Sequence, residues 1–433
     1  MKNKIKRLLK DNYAFAIVLL IAIVLSIASI LYLGYDYTIN SDDLSYINSG
    51  IRFFESGQIT MHGVVSAQIM PGLTFLIAGF CLIFGTGTAL IIALKIFWLL
   101  MGIISIIVLY KIIRMYANQW IASFCCLFLL APDFIWMNNI ILTETPFMLT
   151  LLLLIYHSLR FIREEKNKDF WFIVLWYIIG VYIRPTIGLF PIFLAFCLLI
   201  KKYSFKKLLK KGIIGGIILI ICLAPWIYRN YKAFDKFIPL TYGMGNPLLL
   251  GTYQGYGYPS DEELDYASNV DKKMSDEMRY YLSESYPRDK FKVYYLLEYD
   301  GMKAKYRMQE WWEKDKVSML KSYLIEKPKI MLHSSFYWDE LFGIDINFNL
   351  LLRKIDLILF GISCLAIIIS RKRIIEWLLL IGVYGYQILL YCYSFAYSRY
   401  AITLFPIRFI IIGIGLNIIY DFLKGKRKKV KND

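Results

Sequence analysis

Runs of about 20 apolar residues, separated by short basic or polar stretches, recur along most of the chain. A helix of about 20 residues is needed to cross ~30 Å of hydrocarbon. A membrane-spanning β-barrel would instead alternate apolar and polar positions in segments of about ten residues. The pattern predicts an all-α polytopic membrane protein with ten spans, at residues 13–33, 88–110, 118–136, 142–159, 170–183, 186–200, 212–228, 351–370, 374–394 and 399–421.

The apolar segment at 71–84 is short for a span, since segments of about 10–14 residues are often interfacial or re-entrant. If it lies along the outer surface, every basic cluster falls on one side of the membrane, which is the positive-inside arrangement. We therefore predict an outer juxtamembrane helix at 71–84 and cytoplasmic termini. Three regions follow: a transmembrane core at 1–230 with a first outer loop at 36–87, an extracytoplasmic helical loop at 231–350, and C-terminal spans with a basic tail at 351–433.

Composition and charge agree with a cell-membrane location. Of the 433 residues 58% are hydrophobic, and the formal net charge is +17. Soluble domains are about 45–50% apolar. Lys and Arg cluster between spans, as at 201–211 and 424–431, so the positive charge indicates topology and contact with anionic lipid rather than nucleic acid.

Several classes of protein are disfavoured by the residue pattern. All seven cysteines lie in apolar runs, and the three histidines, His62, His157 and His333, show no metal-ligand spacing. No glycine-rich phosphate loop or dinucleotide fingerprint is present. A disulfide framework, a Cys/His metal site and a cytoplasmic nucleotide enzyme are therefore not expected. The sequence requires no cofactor, although acidic residues in the first loop are compatible with a divalent cation.

The loop at 231–350 is the one large extramembrane region that the sequence predicts. The capping-box pattern at 260–263 predicts a helix that continues to about residue 285. A second helix is expected at 290–325, ended by Pro328. We interpret Trp311 and Trp312 as exposed aromatics that either stack on sugar rings or anchor the loop at the membrane interface.

Asp42 and Asp43 follow the first span by about eight residues. Three interpretations fit adjacent carboxylates here. One of them can cap a surface helix at 42–56, because Asp is a preferred N-cap residue. One can act as a general base toward a hydroxyl acceptor. They can also hold a divalent cation through oxygen ligands.

Four further charged residues lie at the outer ends of predicted spans: Glu144, Arg184, Arg229 and Arg399. An acid at the head of an apolar helix either complements the helix dipole or faces a functional cavity. Three arginines on the side that disfavours positive charge need a reason. A phosphate ligand would supply one, because guanidinium binds phosphate in a bidentate manner. Snorkelling, or pairing with loop acids, is the alternative.

Taken together, these motifs resemble the C-type (GT-C) glycosyltransferases, in particular the protein mannosyltransferase and aminoarabinose transferase-like group, glycosyltransferase family 39. The resemblance covers most of the chain up to residue 255 and resumes at the last span. Each motif alone is weak, but their order and spacing are specific. The motifs are Asp42-Asp43-Leu44-Ser45-Tyr46, Met70-Pro71-Gly72, Leu142-Thr143-Glu144, Ile183-Arg184-Pro185-Thr186, Pro225-Trp226-Ile227-Tyr228-Arg229-Asn230, Gly245-Asn246-Pro247 and Ser398-Arg399-Tyr400.

The resemblance implies a polyprenyl-phosphate-linked sugar as donor, an outward-facing active site and transfer with inversion. It maps the family's base to Asp42, with Asp43 beside it. Tyr46 and Tyr400 fall in the matching motifs and are expected to bind substrate. The expected partners are the lipid-linked sugar and an extracytoplasmic acceptor, which is a glycan, a lipid or a protein.

Two other functions suit a polytopic chain with outer basic residues. One is a lipid-linked-glycan flippase or transporter, and the other is a glycan polymerase or ligase. Transporters tend to show repeated halves and helices broken near the midplane, and this sequence has no internal repeat. The acidic motif directly after the first span favours transfer of a single hexosyl or pentosyl group.

Overall fold

In the computed structural model the backbone is described for residues 2–430 and the side chains for residues 11–425. The basic N-terminal residues 1–7 and the basic residues after Gly425 lie outside the described side chains, so their contacts are left aside. Within the described part the regular secondary structure is helical, apart from one small β-hairpin and an isolated β-bridge. The prediction of an all-α fold is confirmed.

The first half of the chain builds the membrane core and the first loop. Its elements are α1 Lys2–Leu33, α2 Asp42–Ser56, β1 Thr60–Met61, β2 Val64–Val65, α3 Gly72–Phe84, α4 Thr88–Arg114, α5 Gln119–Leu127, α6 Pro132–Met137, α7 Glu144–Glu164, α8 Asn167–Ile183, α9 Phe190–Ile200 and α10 Phe205–Phe234. Helix α2 confirms the helix expected at 42–56. Helix α3 has 13 residues, or about 20 Å, which is shorter than the ~30 Å of hydrocarbon.

Six of the described helices are long and apolar enough to cross a membrane: Asp11–Leu33, Thr88–Arg114, Glu144–Glu164, Phe205–Phe234, Ile374–Tyr393 and Phe405–Gly425. The other four expected spans are helical but shorter, interrupted or more charged. The span expected at 118–136 is broken because Ala131, which precedes Pro132, has extended backbone angles (φ −59°, ψ 144°). The polytopic membrane character of the chain is nevertheless clear.

The loop at 231–350 folds differently from the sequence expectation. Its helices are α11 Gly245–Gly251, α12 Tyr266–Asn269, α13 Asp276–Leu282, α14 Lys290–Lys314, α15 Lys316–Lys321 and α16 Lys327–Leu332. The continuous helix expected after Ser260 is wrong, because the segment forms two short helices, α12 and α13, joined by turns. The Asp261 carboxylate accepts hydrogen bonds from Arg307, Tyr253 and Tyr266 instead of starting a helix.

The expected helix at 290–325 is also divided. It breaks at Asp315 (φ −147°, ψ 82°), whose carboxylate caps α15 by accepting a hydrogen bond from the Ser318 N–H. Pro328 does not end a helix as expected. It is the second residue of α16, which continues directly from a π-helical turn at Ser322–Glu326, so the chain stays helical on both sides of the proline.

The two tryptophans of this loop are not equivalent. Trp311 is fully buried and donates to the Ser318 hydroxyl (2.7 Å). The expectation that both rings are exposed is therefore wrong for Trp311, which belongs to the loop's own core. Trp312 is 45% exposed. Stacking on a sugar ring and anchoring at the membrane interface are therefore both still possible roles for Trp312 only.

The C-terminal helices are α17 Ile346–Ser370, α18 Ile374–Tyr393, α19 Ser398–Ile402 and α20 Phe405–Val430. They bring together four fully buried charges, Asp133, Arg353, Asp356 and Arg408. Arg353 donates to Asp133 (3.0 Å) and to Asp356 (3.0 Å), and Arg408 pairs with the other oxygen of Asp356 (2.7 Å). Sequence reasoning missed this network, which joins α6, α17 and α20 with no net charge.

Basic clusters from separate loops meet at one end of the bundle. Arg163, at the C-terminal end of α7, donates to the Met115 carbonyl (3.2 Å), and Lys201 pairs with Glu165 (3.1 Å). The guanidinium carbon of Arg373 lies 5.4 Å from the Tyr116 ring centre. Helix α7 has 21 residues, or about 30 Å, so Glu144 at its start lies roughly one hydrocarbon thickness away from these clusters.

Candidate active site

Asp42 is the first helical residue of α2. The N-cap is Ser41, and its side chain makes no capping bond. Asp42 Oδ2 accepts a hydrogen bond from Arg399 Nη1 (2.6 Å), and Asp42 Oδ1 lies 3.6 Å from His62 Nε2. The helix-cap interpretation is therefore wrong for Asp42. Its carboxylate points to side chains from distant parts of the chain, and 28% of the side chain is exposed.

Glu144 is fully buried at the start of α7. One of its oxygens, Oε1, accepts hydrogen bonds from both Arg399 Nε and Arg184 Nη2. Its position in the first helical turn also suits the helix dipole, but two guanidinium groups are its immediate partners. The four charges of Asp42, Glu144, Arg184 and Arg399 sum to zero. The alternative of pairing with a loop acid describes Arg399, which binds Asp42, whereas Arg184 pairs with Glu144 at the start of α7.

The local sequence explains how Arg184 reaches Glu144. Pro185 disfavours helical backbone angles in the residue before it, and Arg184 accordingly has φ −145° and ψ 113° and ends α8. Its side chain then reaches the start of α7, where Nε and Nη2 donate to the Thr143 hydroxyl (2.9 and 2.7 Å). Arg184 Nη1 is buried and has no hydrogen-bond acceptor among the described side chains and backbone.

Tyr46 and Tyr400 line the same site. Tyr46 lies one helical turn after Asp42, so the two side chains share a face of α2. Burial raises the pKa of Tyr46 to about 12, although the nearby Arg399 acts in the opposite direction. Its hydroxyl is therefore protonated near neutral pH. The Tyr400 ring stacks on Tyr391 (centroids 4.7 Å apart) and lies 5.4 Å from the Arg184 guanidinium carbon.

Two residues singled out from the sequence do not join this cluster. Asp43 is buried, and its carboxylate accepts hydrogen bonds from the backbone N–H groups of Ile39 (2.8 Å) and Ser41 (3.0 Å). It shapes the turn before α2 and does not face the other acids. Arg229 donates to the carbonyls of Ile59 (2.9 Å) and Ser66 (2.8 Å), so its guanidinium is engaged with the first loop.

Sequence reasoning missed three residues beside the cluster. Thr143 binds Arg184, and its place in the motif Leu142-Thr143-Glu144 was its signal. Lys95 is almost fully buried and donates to the carbonyls of Tyr37 (2.5 Å) and Asn139. A lone lysine within the apolar run 88–110 was its signal. His62 is the third, and an isolated histidine in a loop carries no signal by itself.

Cation ligands are sparse in this region. Among the described side chains, residues 11–425, no group of three or more His, Cys, Asp or Glu residues is close enough to hold a metal ion. The nearest partners of the Asp42 carboxylate are the cationic Arg399 and the imidazole of His62. The site therefore has one partly exposed carboxylate, that of Asp42, which is joined through Arg399 to the buried Glu144 and Arg184.

The sequence and the fold both resemble those of known proteins. Residues 69–228 match the family model described as dolichyl-phosphate-mannose-protein mannosyltransferase. No curated protein matches the sequence. The archaeal oligosaccharyltransferase AglB from Archaeoglobus fulgidus, solved with an inhibitory peptide and a dolichol-phosphate, superposes with a TM-score of 0.52 at 13% identity, over 98% of this chain and 52% of that one.

The family resemblance is confirmed over this segment. The chain shares the fold of this oligosaccharyltransferase. The apo form of an oligosaccharyltransferase from Archaeoglobus fulgidus gives a TM-score of 0.50 at 14% identity, over 96% of this chain and 52% of that one. This chain spans about half the length of those enzymes. ArnT from Cupriavidus metallidurans bound to undecaprenyl phosphate is also similar, with a TM-score of 0.42 at 13% identity, over 93% and 77% of the two chains.

The segment that matches the family model and the candidate site overlap only in part. Glu144 and Arg184 lie inside the matched segment, whereas Asp42 and Arg399 lie outside it. The cluster therefore combines residues from the matched segment with residues from both ends of the chain.

Proposed function

We propose that this protein transfers one sugar from a polyprenyl-phosphate donor to a hydroxyl group of an acceptor, with inversion at the anomeric carbon. The observation that carries the proposal is the bridge made by Arg399, which joins Asp42 from the first loop to Glu144 at the head of α7. The mannosyltransferase family match and the dolichol-phosphate in the AglB complex support a lipid-linked donor.

In this mechanism Asp42 acts as the general base. Its Oδ2 is held by Arg399, which leaves Oδ1 on the side of His62. The acceptor hydroxyl gives its proton to Oδ1, and the acceptor oxygen forms a bond to the anomeric carbon. The bond from that carbon to the phosphate oxygen breaks, and the phosphate keeps the electron pair. General-base catalysis of this kind contributes about 10²–10⁴-fold.

The arginines serve the leaving phosphate in this proposal. Arg184 Nη1 is a buried donor without an acceptor among the described residues, and such groups are costly unless something pairs with them. A phosphate oxygen would satisfy it, and positioned cations stabilise charge that develops during reaction. Glu144 holds Arg184 and Arg399 close together. Tyr46 and Tyr400 border the same space and would contact the sugar or the phosphate.

We further propose that the site faces away from the cytoplasm and that both chain termini are cytoplasmic. The support is the separation of charge along α7, because the basic clusters gather at the end opposite Glu144 and positive residues favour the cytoplasmic side. The loop at 231–350 would then cover the site and select the acceptor. A cell-envelope glycan, a lipid and a protein remain the candidate acceptor classes at this level.

The test is transfer from radiolabelled undecaprenyl-phosphate-mannose, and from the corresponding glucose donor, by the purified protein in liposomes with a cell-envelope extract as acceptor. Asp42→Asn should lower the rate at least about 100-fold, because an amide cannot take up the proton. Asp36→Asn is the matched control, since Asp36 is an exposed carboxylate of the same loop. Full activity in Asp42→Asn would exclude the assigned base. Parallel assays with EDTA test for a divalent cation.

A further inference from the structure

The hairpin β1–β2 contains an unusual turn. Thr60 pairs with Val65 and Met61 with Val64, which leaves His62 and Gly63 as a two-residue turn. Both have positive φ, +50° and +84°. Asn-Gly, Asp-Gly or Gly-Gly is the usual choice for such a turn. A non-glycine residue in the left-handed region is uncommon, and histidine is one of the side chains that adopt it most often.

The turn places the His62 ring against α2. His62 Nδ1 lies 2.9 Å from the Ser45 hydroxyl, and His62 Nε2 lies 3.6 Å from Asp42 Oδ1. Ser45 and Asp42 are three residues apart and share a face of the helix. The imidazole thus lies between Ser45 and Asp42, and it faces Asp42 Oδ1, the carboxylate oxygen that Arg399 does not bind. It is 42% exposed, so a ligand can reach it.

The hairpin is fixed from outside. Arg229, on α10, donates to the Ile59 carbonyl on one side of the hairpin and to the Ser66 carbonyl on the other. The Ser66 N–H also donates to the Ile59 carbonyl (3.0 Å), and the Ser66 and Tyr242 hydroxyls are 3.1 Å apart. These bonds hold both strands at their base. The position of His62 is therefore set by residues far along the chain.

A polar cavity of about 460 Å³ opens beside His62. Its hydrogen-bonding lining is supplied by α2 and the hairpin: Ser45, Asn48, Arg52, Glu55, Thr60 and His62. Ligand pockets commonly measure about 300–1,000 Å³. Hydroxyl, amide and imidazole groups both donate and accept hydrogen bonds, and the single cation and single anion cancel. This chemistry suits a neutral ligand with several hydroxyl groups.

We propose that this cavity is the acceptor site, that the acceptor is a carbohydrate, and that His62 binds the reacting hydroxyl next to Asp42. The proposal rests on the proposed transfer reaction. It assigns His62 to acceptor binding and makes Arg229 a positioning residue for the hairpin. The cavity, rather than the ion-pair cluster, then determines which acceptor reacts. An acceptor peptide is the competing class, and it is disfavoured because Ile51 is the one aliphatic side chain among the described residues that line the cavity, whereas six of the lining residues offer hydrogen-bonding groups.

Binding is measured first, independently of catalysis. Full-length protein in detergent carries three histidines, so selective ¹³C-histidine labelling gives few signals, and His62 is assigned by its loss in His62→Asn. Methyl α-D-mannopyranoside should shift the His62 signals, and a Ser/Thr-containing peptide should not. Asn48→Ala should weaken the sugar response about two- to tenfold, as expected for one lost hydrogen bond. Gln58→Ala, an exposed change outside the cavity, is the matched control.

Kinetics supply the second measurement. His62→Asn should raise the KM for the acceptor about two- to tenfold and leave the KM for the lipid-linked donor unchanged; Asn tolerates the positive φ of this position. Arg229→Lys should act in the same direction, since one ammonium group cannot hold both carbonyls as the guanidinium does.

Three results would overturn the acceptor site: unshifted His62 signals with the sugar, equal shifts with the peptide, or a change in donor KM alone. The transfer reaction has a separate test. If Asp42→Asn is inactive and the sugar does not shift the His62 signals, the transfer reaction is supported and the acceptor site in this cavity is rejected. If Asp42→Asn is fully active, transfer by Asp42 fails, whatever the histidine signals show.

Discussion

Arg399 is the residue on which the candidate site depends most, because it bridges two carboxylates that are far apart in sequence. It is 12% exposed and donates from Nη1 to Asp42 (2.6 Å) and from Nε to Glu144. Arg399→Lys keeps the charge but replaces a planar fork with a single ammonium group. We expect one of the two bonds to be lost. A hydrogen bond to a charged group contributes about 1.5–3 kcal/mol.

At about 1.36 kcal/mol for each factor of ten, loss of one such bond corresponds to a decrease in kcat/KM of about 10- to 150-fold. Arg399→Met removes both bonds and leaves Arg184 as the one cation beside two carboxylates, so its decrease should exceed that of Arg399→Lys. The measurement is the initial rate of sugar transfer by protein in liposomes, over a range of donor concentrations.

The matched control for this prediction is Arg163→Lys. Arg163 is exposed at the opposite end of α7 and donates to one carbonyl, so the rate should be unchanged. Size-exclusion profiles after heating check that each variant is folded. The bridging role of Arg399 would be refuted if Arg399→Lys retained near-normal kcat/KM, or if the Lys and Met variants were equally impaired.

Two predictions concern stability. Asp356→Asn removes the carboxylate that pairs with Arg408, while Arg353 keeps Asp133, so one buried positive charge is left uncompensated. We expect the folded state to lose about 3–5 kcal/mol and the apparent Tm in detergent to fall. The exposed Asp421→Asn should have no effect, and an unchanged Tm in Asp356→Asn would contradict this. Burial lowers the pKa of Lys327 from 10.5 to about 7. Between pH 7 and 10.5 the unfolded chain therefore binds a proton at this lysine that the folded chain does not. The free energy of unfolding should rise with pH over that range. Lys327→Met should remove that rise in Tm, and an identical pH dependence in both proteins would exclude it.

The membrane class, the helix at 42–56 and the family resemblance were all accessible from the sequence. Each depends on local or periodic information: the length of an apolar run, the spacing of turn residues, or a short motif. The same information placed Asp42, Glu144, Arg184 and Arg399 at the outer ends of spans. The sequence put these residues, together with Arg229, on one side of the membrane, and the structure brings the first four into direct contact.

Local information misled wherever tertiary contacts compete with it. The capping-box pattern after Ser260 predicted a helix, but Asp261 is engaged by Arg307 from α14. Arg229 matched a family motif, yet its guanidinium reaches back to the first loop because Ile59 and Ser66 present their carbonyls there. Neither outcome is visible in a sequence window, since the partners are 46 and 163–170 residues away.

The sequence by itself determined that this chain crosses a membrane and which residues carry charge at the ends of its helices. Hydrocarbon thickness and helical rise make that a matter of counting apolar residues. Only the tertiary structure decided how the carboxylates are used. Asp43 turns inward to bind backbone N–H groups, while Asp42 faces Arg399 and His62. Adjacent helical residues point in different directions, so the choice between them depends on the packing of distant elements around α2.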